Sequence, residues 1–177
     1  MSQENRSIES KHVVILDTSA LLAKYYRYID RSRYSIYTTE SAVHEVKDYE
    51  NKQALEEAIE LGLLIVIRPR QDTVERTMHK ARSIGALHKL SRTDIEIAGL
   101  AEQLKELGIV VIVITDDYEL QNLLFHIEVG FKPLRTSGIR ESRVYKAQCP
   151  VCGYVPGKPG ENKCPLCNSE IRRRIVK

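Results

Sequence analysis

With 177 residues, the chain is long enough for one ordinary domain and a small appendage. Its composition, with 42% hydrophobic and 29% charged residues, is that of a globular protein, and its longest aliphatic run, 109–114, is too short to cross a membrane. The net charge of +3 conceals an asymmetry, because residues 131–177 carry eleven basic and three acidic side chains, and the preceding 130 residues carry a net charge of −5. A basic tail beside an acidic body indicates a polyanionic partner, and a merely solubilising tail explains the charge equally well.

Residues 1–11 are polar and lack the apolar core of a signal peptide, so we expect a disordered leader there. From residue 12 onward, short apolar runs alternate with amphipathic segments. The runs predicted to be strands are 12–16, 34–38, 63–67 and 109–114, with an edge strand over 131–135. The segments predicted to be helices are 20–28, 40–48, 53–61, 72–84, 92–107 and 118–125, with Thr18 or Ser19 capping the first and Ser91 the fifth. This alternation predicts an α/β domain over residues 12–135, with a mostly parallel central sheet flanked by helices.

Acidic side chains stand where this topology brings them together. Asp17 directly follows the first predicted strand, and Asp116 follows the strand over 109–114. Because the carboxyl ends of parallel strands meet at one edge of a sheet, we expect both acids at that edge. Asp94 lies in the first turn of its helix, and Glu45 lies on an early helix that can fold over the same edge.

Gathering carboxylates in a cleft costs several kcal/mol unless a cation neutralises them, and hard oxygen ligands favour Mg²⁺ or Mn²⁺. Such a metal would hold a phosphodiester oxygen and activate a water, leaving a 3′-hydroxyl and a 5′-phosphate. Each acid also has a structural alternative: Asp17 as a turn former, Asp94 as a helix-dipole partner, Asp116 as an N-cap and Glu45 as surface charge. Those alternatives are favoured for each acid alone, whereas the joint pattern favours a metal site.

The only cysteines form two Cys-x-x-Cys pairs in the tail: Cys149, Cys152, Cys164 and Cys167. Two such turns supply the four sulfurs that tetrahedral Zn²⁺ prefers, so we predict one structural zinc ion in a small β zinc ribbon over residues 143–177, joined by a linker at 136–142. The alternatives are two disulfides or a redox pair. No signal peptide is present and redox pairs normally occur singly, so zinc and a reducing, cytoplasmic location are preferred.

The linker and the ribbon carry a basic surface that is expected to bind RNA. Its residues are Arg135, Arg140, Arg143, Lys146, Lys158, Lys163, Arg172, Arg173 and Arg174. Tyr145 and Tyr154 can stack on bases, with local packing around the zinc as the alternative. The arginine triplet also fits a solvated terminus.

Four segments resemble the motifs of PIN-domain nucleases. Residues 14–22 (VILDTSALL) resemble the opening motif of that family, 41–46 the helix with its glutamate, 91–95 its Ser-x-x-Asp helix start and 113–117 its Thr-x-Asp strand end. A PIN-like fold followed by a zinc ribbon is similar to the Nob (NIN-one-binding) family, in its compact archaeal form.

The resemblance implies an endoribonuclease, a phosphodiester hydrolase that cleaves precursor small-subunit rRNA to form its mature 3′ end. The residues that it implies for catalytic Mg²⁺ or Mn²⁺ are Asp17, Glu45, Asp94 and Asp116. The residues that it implies for support are Thr18, Ser91, Thr115 and Asp117. It further implies a nascent small ribosomal subunit as the place of work, a KH-domain assembly factor as a partner and no membrane.

Two alternatives remain beside this function. The first is a PIN-type toxin ribonuclease of a toxin–antitoxin pair, which shares the acids; such toxins are normally single domains, so the ribbon argues against it. The second is a non-catalytic adaptor that binds RNA or the ribosome, against which the retention of all four acids argues.

Overall fold

The computed structural model of the protein describes residues 12–157 and 161–176. The predicted leader, 1–11, and Lys158, predicted to bind RNA, lie outside the described residues. The described part forms an α/β body and a small two-stranded tail, as the alternation of runs and the paired cysteines predicted.

A five-stranded parallel sheet forms the centre of the body. In chain order its strands are β1 (His12–Leu16), β2 (Ser35–Thr38), β3 (Ile65–Val66), β4 (Val110–Ile114) and β5 (Gly130–Lys132), and their spatial order is β3-β2-β1-β4-β5. Four of the five residues of β1 are buried, because the strand lies between two neighbours with helices on both faces. The continuous apolar run therefore reflects a strand that meets no solvent on either side.

Six helices flank the sheet. They are α1 (Thr18–Leu22), α2 (Glu40–Glu45), α3 (Tyr49–Glu60), α4 (Gln71–Ser83), α5 (Arg92–Glu106) and α6 (Tyr118–His126), with single 3₁₀ turns at Tyr25–Arg27 and Leu87–Lys89. Helix α5 packs on α4 and on β4 and contributes Ile97 and Leu100, both fully buried, to the core. Complete burial of one such side chain is worth about 1.5–3 kcal/mol. No helix in the described part of the chain is both long and apolar enough to cross a membrane.

The helix predicted over 20–28 differs from the structure. Asp17, and neither Thr18 nor Ser19, caps α1, and the helix ends at Leu22. Lys24 takes a left-handed conformation with φ of 53°, which ends helical hydrogen bonding before the 3₁₀ turn. A sequence of good helix formers gave no sign of this residue's backbone conformation.

The tail contains an antiparallel pair, β6 (Tyr145–Gln148) and β7 (Arg172–Ile175), which flanks two equivalent cysteine turns. In each turn the residue after the second cysteine, Gly153 or Asn168, has a positive φ and donates its N–H to the first cysteine's carbonyl, at 3.0 and 2.8 Å respectively. Glycine and asparagine are the residues that adopt this conformation most readily. The sequence after each Cys-x-x-Cys pair therefore fits the turn that aims two sulfurs at one point.

Candidate active site and metal centre

Asp17 lies at the carboxyl edge of the sheet, where β1 and β4 run side by side. Leu16 pairs with Ile114, and the Asp17 backbone N–H donates to the Ile114 carbonyl at 3.3 Å. Asp17 is buried, and its Oδ1 accepts the backbone N–H of Ala20 and the hydroxyl of Ser19, each at 2.8 Å. The strand end and the helix cap thus hold this carboxylate in one orientation.

Burial raises the pKa of Asp17 above its ordinary value, and the nearby charge of Asp116 raises it further. Hydrogen bonds from Thr115, Ala20 and Ser19 oppose that rise without cancelling it. The fully buried Thr115 also accepts the backbone N–H of Asp117 at 3.0 Å through its hydroxyl. Thr115 therefore lies between Asp17 and Asp117 and contacts both through its hydroxyl.

Asp94 belongs to a capping box at the start of α5. The Ser91 hydroxyl accepts the Asp94 backbone N–H at 3.1 Å, while Asp94 Oδ2 accepts both the backbone N–H and the hydroxyl of Ser91 at 2.8 Å. Burial raises the pKa of Asp94, and the charges of Asp117 and Glu45 raise it as well. Asp94, Asp117 and Glu45 consequently face a common region.

Glu45 is the last residue of α2 and is exposed to solvent. Its Oε2 accepts the hydroxyl of Thr18 at 2.6 Å, which ties the end of α2 to the start of α1. The end of α2 that carries Glu45 therefore lies against the start of α1, next to Asp17.

Asp116 and Asp117 form hydrogen bonds with different segments, Asp116 with the start of the linker and Asp117 with the start of α6. Asp116 Oδ1 accepts three consecutive backbone N–H groups, those of Leu134 (2.8 Å), Arg135 (2.9 Å) and Thr136 (3.2 Å). Burial alone would raise the pKa of Asp116, but these hydrogen bonds hold it below its ordinary value. The alternative reading of Asp116 as an N-cap is wrong, because Asp117 caps α6.

Through Oδ1, Asp117 accepts the backbone N–H groups of Glu119 at 2.7 Å and Leu120 at 2.8 Å. All five acids thus lie around one edge of the sheet. Among the described residues, however, only the four cysteines bring three or more ligand atoms within 4.8 Å of one another. The carboxylates are spread more widely than the sulfurs.

The cysteine sulfurs form a compact cluster. The Sγ–Sγ distances are 3.4 Å between Cys149 and Cys167, 3.4 Å between Cys152 and Cys164, and 3.7 Å between Cys152 and Cys167. A tetrahedral zinc site with Zn–S bonds of about 2.3 Å has edges of roughly 3.8 Å. The four sulfurs therefore fit one zinc ion with little rearrangement.

The thiols influence one another's ionisation. A backbone hydrogen bond at Tyr154 lowers the pKa of Cys152, but hydrogen bonds among the sulfurs, that with Cys164 first, raise it to about 12. Side-chain and backbone hydrogen bonds from Ser169 instead lower the pKa of Cys167 to about 6. Four thiolates this close need a cation before all of them can ionise, which is the chemistry that Zn²⁺ supplies to a thiolate ligand.

One face of the ribbon is attached to the body. The Tyr145 backbone N–H donates to the Ile84 carbonyl at 3.0 Å, and the Arg173 guanidinium lies 4.4 Å from the centroid of the Tyr145 ring. Arg173 also donates a hydrogen bond to the carbonyl of Gly85. Arg173 and Tyr145, both predicted to contact RNA, therefore take part in the contact between ribbon and body.

The opposite face of the ribbon is basic and exposed. Lys146 pairs across the strands with Arg174, and Arg172 lies two residues away on the same face. The other predicted RNA-binding cations are also exposed: Lys163 on the second cysteine turn, Arg140 and Arg143 at the linker, and Arg135, whose Nε is 3.9 Å from Asp116 Oδ2. Tyr154 donates to Glu161 at 3.1 Å, which supports its local packing.

Sequence reasoning missed the residues that fix the linker to the body. The buried Gln121 of α6 accepts the Ile139 N–H at 2.9 Å, and the buried Asn122 both accepts the Arg143 N–H at 2.7 Å and donates to the Arg143 carbonyl at 2.9 Å. Together with Asp116, these side chains hold the linker at three points. The available signal was a pair of amides directly before the apolar run 123–125 of α6.

Residues 14–104, just over half of the chain, match the family model described as the PIN domain of ribonuclease. The fold and this match define a PIN-domain ribonuclease. The endoribonuclease Nob1 of Methanothermobacter thermautotrophicus is 33% identical over 161 residues, which are 90% of this chain and 91% of that relative. The chain therefore belongs to the Nob1 family of endoribonucleases, as its resemblance to the Nob family predicted.

Two further relatives bear on the choice of substrate. Ribonuclease VapC3 of Aeropyrum pernix is 32% identical over 137 residues, which are 77% of this chain and 96% of the relative. The 20S-pre-rRNA D-site endonuclease NOB1 of Saccharomyces cerevisiae is 28% identical over 99 residues, which are 55% of this chain and 22% of the relative. The similarity thus extends both to a protein named as a VapC-type ribonuclease and to one named as a pre-rRNA endonuclease.

Proposed function

We propose that the protein is a divalent-metal-dependent endoribonuclease that cleaves precursor small-subunit rRNA to form its mature 3′ end. One observation supports the chemistry above all others: the pKa values of Asp17 and Asp94 are both raised by burial and by neighbouring acids at a single edge of the sheet. Buried like charges destabilise a fold unless a cation or a function compensates for them. A site for Mg²⁺ or Mn²⁺ accounts for their retention.

In this proposal Asp17, Glu45, Asp94 and Asp116 hold the metal. When bound, the metal would supply an activated water and stabilise charge on the phosphate, giving a 3′-hydroxyl and a 5′-phosphate. The spread of the carboxylates suits an ion that keeps several of its waters, so that one or two of these acids would bind it directly and the others through those waters. Thr18, Ser91 and Thr115 orient the acids, and Asp117 adds negative charge beside Asp94.

The substrate follows from the family and from charge. Relatives named endoribonuclease Nob1 and 20S-pre-rRNA D-site endonuclease NOB1 support pre-rRNA and the pre-ribosome as partners. The ribbon, held together by a structural zinc ion on its four cysteines, would assist binding with its exposed basic face. We extend the proposal to a KH-domain assembly factor as a partner and to the cytoplasm as the place of action.

Cleavage of a defined RNA tests this function. Purified protein with Mn²⁺ should cut an RNA that spans the 3′ end of small-subunit rRNA, and the downstream product should carry a 5′-phosphate that a phosphate-dependent exonuclease can attack. Asp17→Asn should bind the RNA and leave it whole. If the unaltered protein binds the RNA and never cuts it, with or without metal, a non-catalytic adaptor replaces the nuclease.

The similarity to ribonuclease VapC3 supports a toxin-type ribonuclease as a second candidate. A toxin should arrest growth when it is produced alone in a bacterial host, and Asp17→Asn should relieve the arrest. Unimpaired growth together with cleavage at the 3′ end of rRNA would eliminate the toxin.

A further inference from the structure

A cleft of about 710 Å³ separates the body from the linker and the ribbon. Its wall on the body side contains Tyr118, Asn122 and Lys89, and its opposite wall contains Arg140, Arg143 and Tyr145. This volume lies within the range of about 300–1,000 Å³ that is typical of ligand pockets. The cleft has room for a nucleoside, and it exists because the ribbon is attached beside α6.

The cleft begins next to the acids. Tyr118, the first residue of α6, directly follows Asp117, whose charge acts on Asp94. The Tyr118 side chain is 49% exposed even though it borders the cleft. An aromatic ring in this position offers a face for stacking within one residue of the acidic edge.

The charge available in the cleft comes from two arginines. Lys89 is paired with Glu119 at 2.6 Å, so these two charges offset each other. The guanidinium groups of Arg140 and Arg143 form no ion pair with any described residue. Glu141, which also lines the cleft, is exposed and brings one negative charge against their two positive charges. Beyond the cleft, the exposed Lys146 continues the positive charge along β6.

We propose that this cleft binds one unstacked nucleotide of single-stranded RNA next to the scissile phosphate, with its base on Tyr118 and a neighbouring phosphate on Arg140 and Arg143. The inference rests on the proposed ribonuclease function and adds to it a position where one base is held, at Tyr118 in the cleft. Proteins recognise RNA chiefly at single-stranded segments, whose bases stack on aromatic side chains, whereas a paired base has no free face to offer. The ribbon therefore forms one wall of the substrate site as well as supplying positive charge.

The chain contains a matched control for Tyr118. Asp48-Tyr49-Glu50 repeats Asp117-Tyr118-Glu119 in sequence, and in both segments the aspartate caps a helix of which the tyrosine is the first residue. Tyr49 is 81% exposed and does not line the cleft. A change at Tyr49 therefore has the same local setting without the cleft.

Binding is measured in the Asp17→Asn background, so that it does not depend on cleavage. The probe is a short single-stranded RNA that spans the small-subunit 3′ end and carries 2-aminopurine next to the cleavage position. Tyr118→Leu should weaken binding about tenfold and remove the quenching of 2-aminopurine that stacking causes, while Tyr118→Phe and Tyr49→Leu stay within about twofold. Zinc content and melting temperature confirm that each variant is folded.

The cleft proposal is overturned if Tyr118→Leu binds and quenches as Tyr118→Phe does, or if Tyr49→Leu loses as much affinity. The ribonuclease function fails separately, if the unaltered protein with Mn²⁺ cuts no RNA. Loss of cleavage with Tyr118-dependent binding would leave the cleft as a binding site alone, and cleavage without that dependence would refute the cleft alone.

Discussion

At the scale of single residues, the acids of the sheet edge combine two duties. Asp94 completes the capping box of α5 through Oδ2 and Asp117 caps α6 through Oδ1, so each hydrogen-bonded oxygen fixes the direction of the other oxygen. The sequence offered capping as an alternative to metal binding only for Asp116, but the structure shows that a capping carboxylate keeps a second oxygen free for a metal. The cap restricts the rotamer, and a restricted rotamer lowers the entropy lost when a metal binds.

Asp17→Asn should stabilise the metal-free protein at neutral pH. Because the folded pKa of Asp17 is raised, the folded state binds a proton more tightly than the unfolded chain, and stability falls as pH rises from the ordinary value through the raised one. Asparagine keeps the cap but removes that charge. Calorimetry at neutral pH should show a melting temperature higher by a few degrees, together with loss of the rise that Mn²⁺ causes in the unaltered protein.

Asp30→Asn is the control for that measurement. Hydrogen bonds from Ser32 lower the pKa of the exposed Asp30, so its charge favours the folded state above its ordinary pKa. Its removal should not raise the melting temperature. An equal rise in both variants would show that net charge, and not the acidic edge, sets the effect.

Asp116→Ala should be more destabilising than Asp117→Ala. The first change removes the acceptor of three backbone N–H groups, those of residues 134–136. Because that acceptor is charged, we expect the free energy of unfolding to fall by about 2–3 kcal/mol. The second removes a helix cap worth about 1 kcal/mol. Denaturant titration gives both free energies of unfolding, and the reverse order would contradict the role assigned to Asp116 in holding the linker.

At the scale of elements, the parallel order β2-β1-β4 explains why distant acids meet. Strands β1 and β4 are adjacent in register, so residues that follow them must lie at one edge, and the sequence was sufficient to predict this. The attachment of the ribbon was different. Gly85 and Arg173 are 88 positions apart, and no local periodicity reports a contact between a helix end and a strand in another domain. From the sequence, Asn122 is likewise only one polar residue of a helix, and its two hydrogen bonds to the Arg143 backbone appear only in the structure.

Gly85→Ala should detach the ribbon from the body. Gly85 has a φ of +70°, and a β-carbon there would overlap the carbonyl oxygen of Tyr145. Gly62 has a φ of +65° with no atom within 4 Å of the added carbon, so Gly62→Ala incurs only the backbone strain, about 1–2 kcal/mol. Hydrogen exchange at the Tyr145 amide should quicken in Gly85→Ala alone, while zinc content stays unchanged in both.

Cys149→Ser should unfold the ribbon and spare the body. Cys149 is 1% exposed and is one of four sulfurs within 4.8 Å, so its loss removes a ligand that the small tail has no core to replace. Metal analysis should show less than one zinc per chain, and circular dichroism should retain the helices of the body. A variant with full zinc content and unchanged RNA affinity would contradict this account of the tail.

At the scale of the whole molecule, negative charge is concentrated at the sheet edge proposed for catalysis and positive charge on the linker and ribbon proposed for RNA binding. The acidic edge repels phosphate unless a cation intervenes, so in the proposed function the affinity for RNA comes from the linker and from the exposed face of the ribbon. The sequence alone showed the basic tail. It could not show that strand alternation turns Arg173 towards the body and leaves Lys146, Arg172 and Arg174 outside, since that depends on the pairing of β6 with β7.

Replacing Lys146, Arg172 and Arg174 together by alanine should flatten the salt dependence of RNA binding. Each phosphate contact with a single strand contributes about 0.7 to the slope of log K against log salt, so the slope should fall by about 2. Alanine at Arg33, Lys47 and Lys52, which are exposed cations of the body, is the matched control and should leave the slope unchanged. Equal losses in the two triple variants would mean that overall charge, not the ribbon face, binds RNA.

Asn122 forms hydrogen bonds with both the backbone N–H and the carbonyl of Arg143, and this fixes the distance between the ribbon and the acidic edge. Since the connecting segment is fixed at Asp116, Gln121 and Asn122, RNA bound to the ribbon as proposed would reach the acids at a constant distance. Because Ile84 and Gly85 also hold the ribbon, Gly85→Ala would relax that spacing and spread the cut over neighbouring nucleotides, whereas Gly62→Ala would leave the cut at one position.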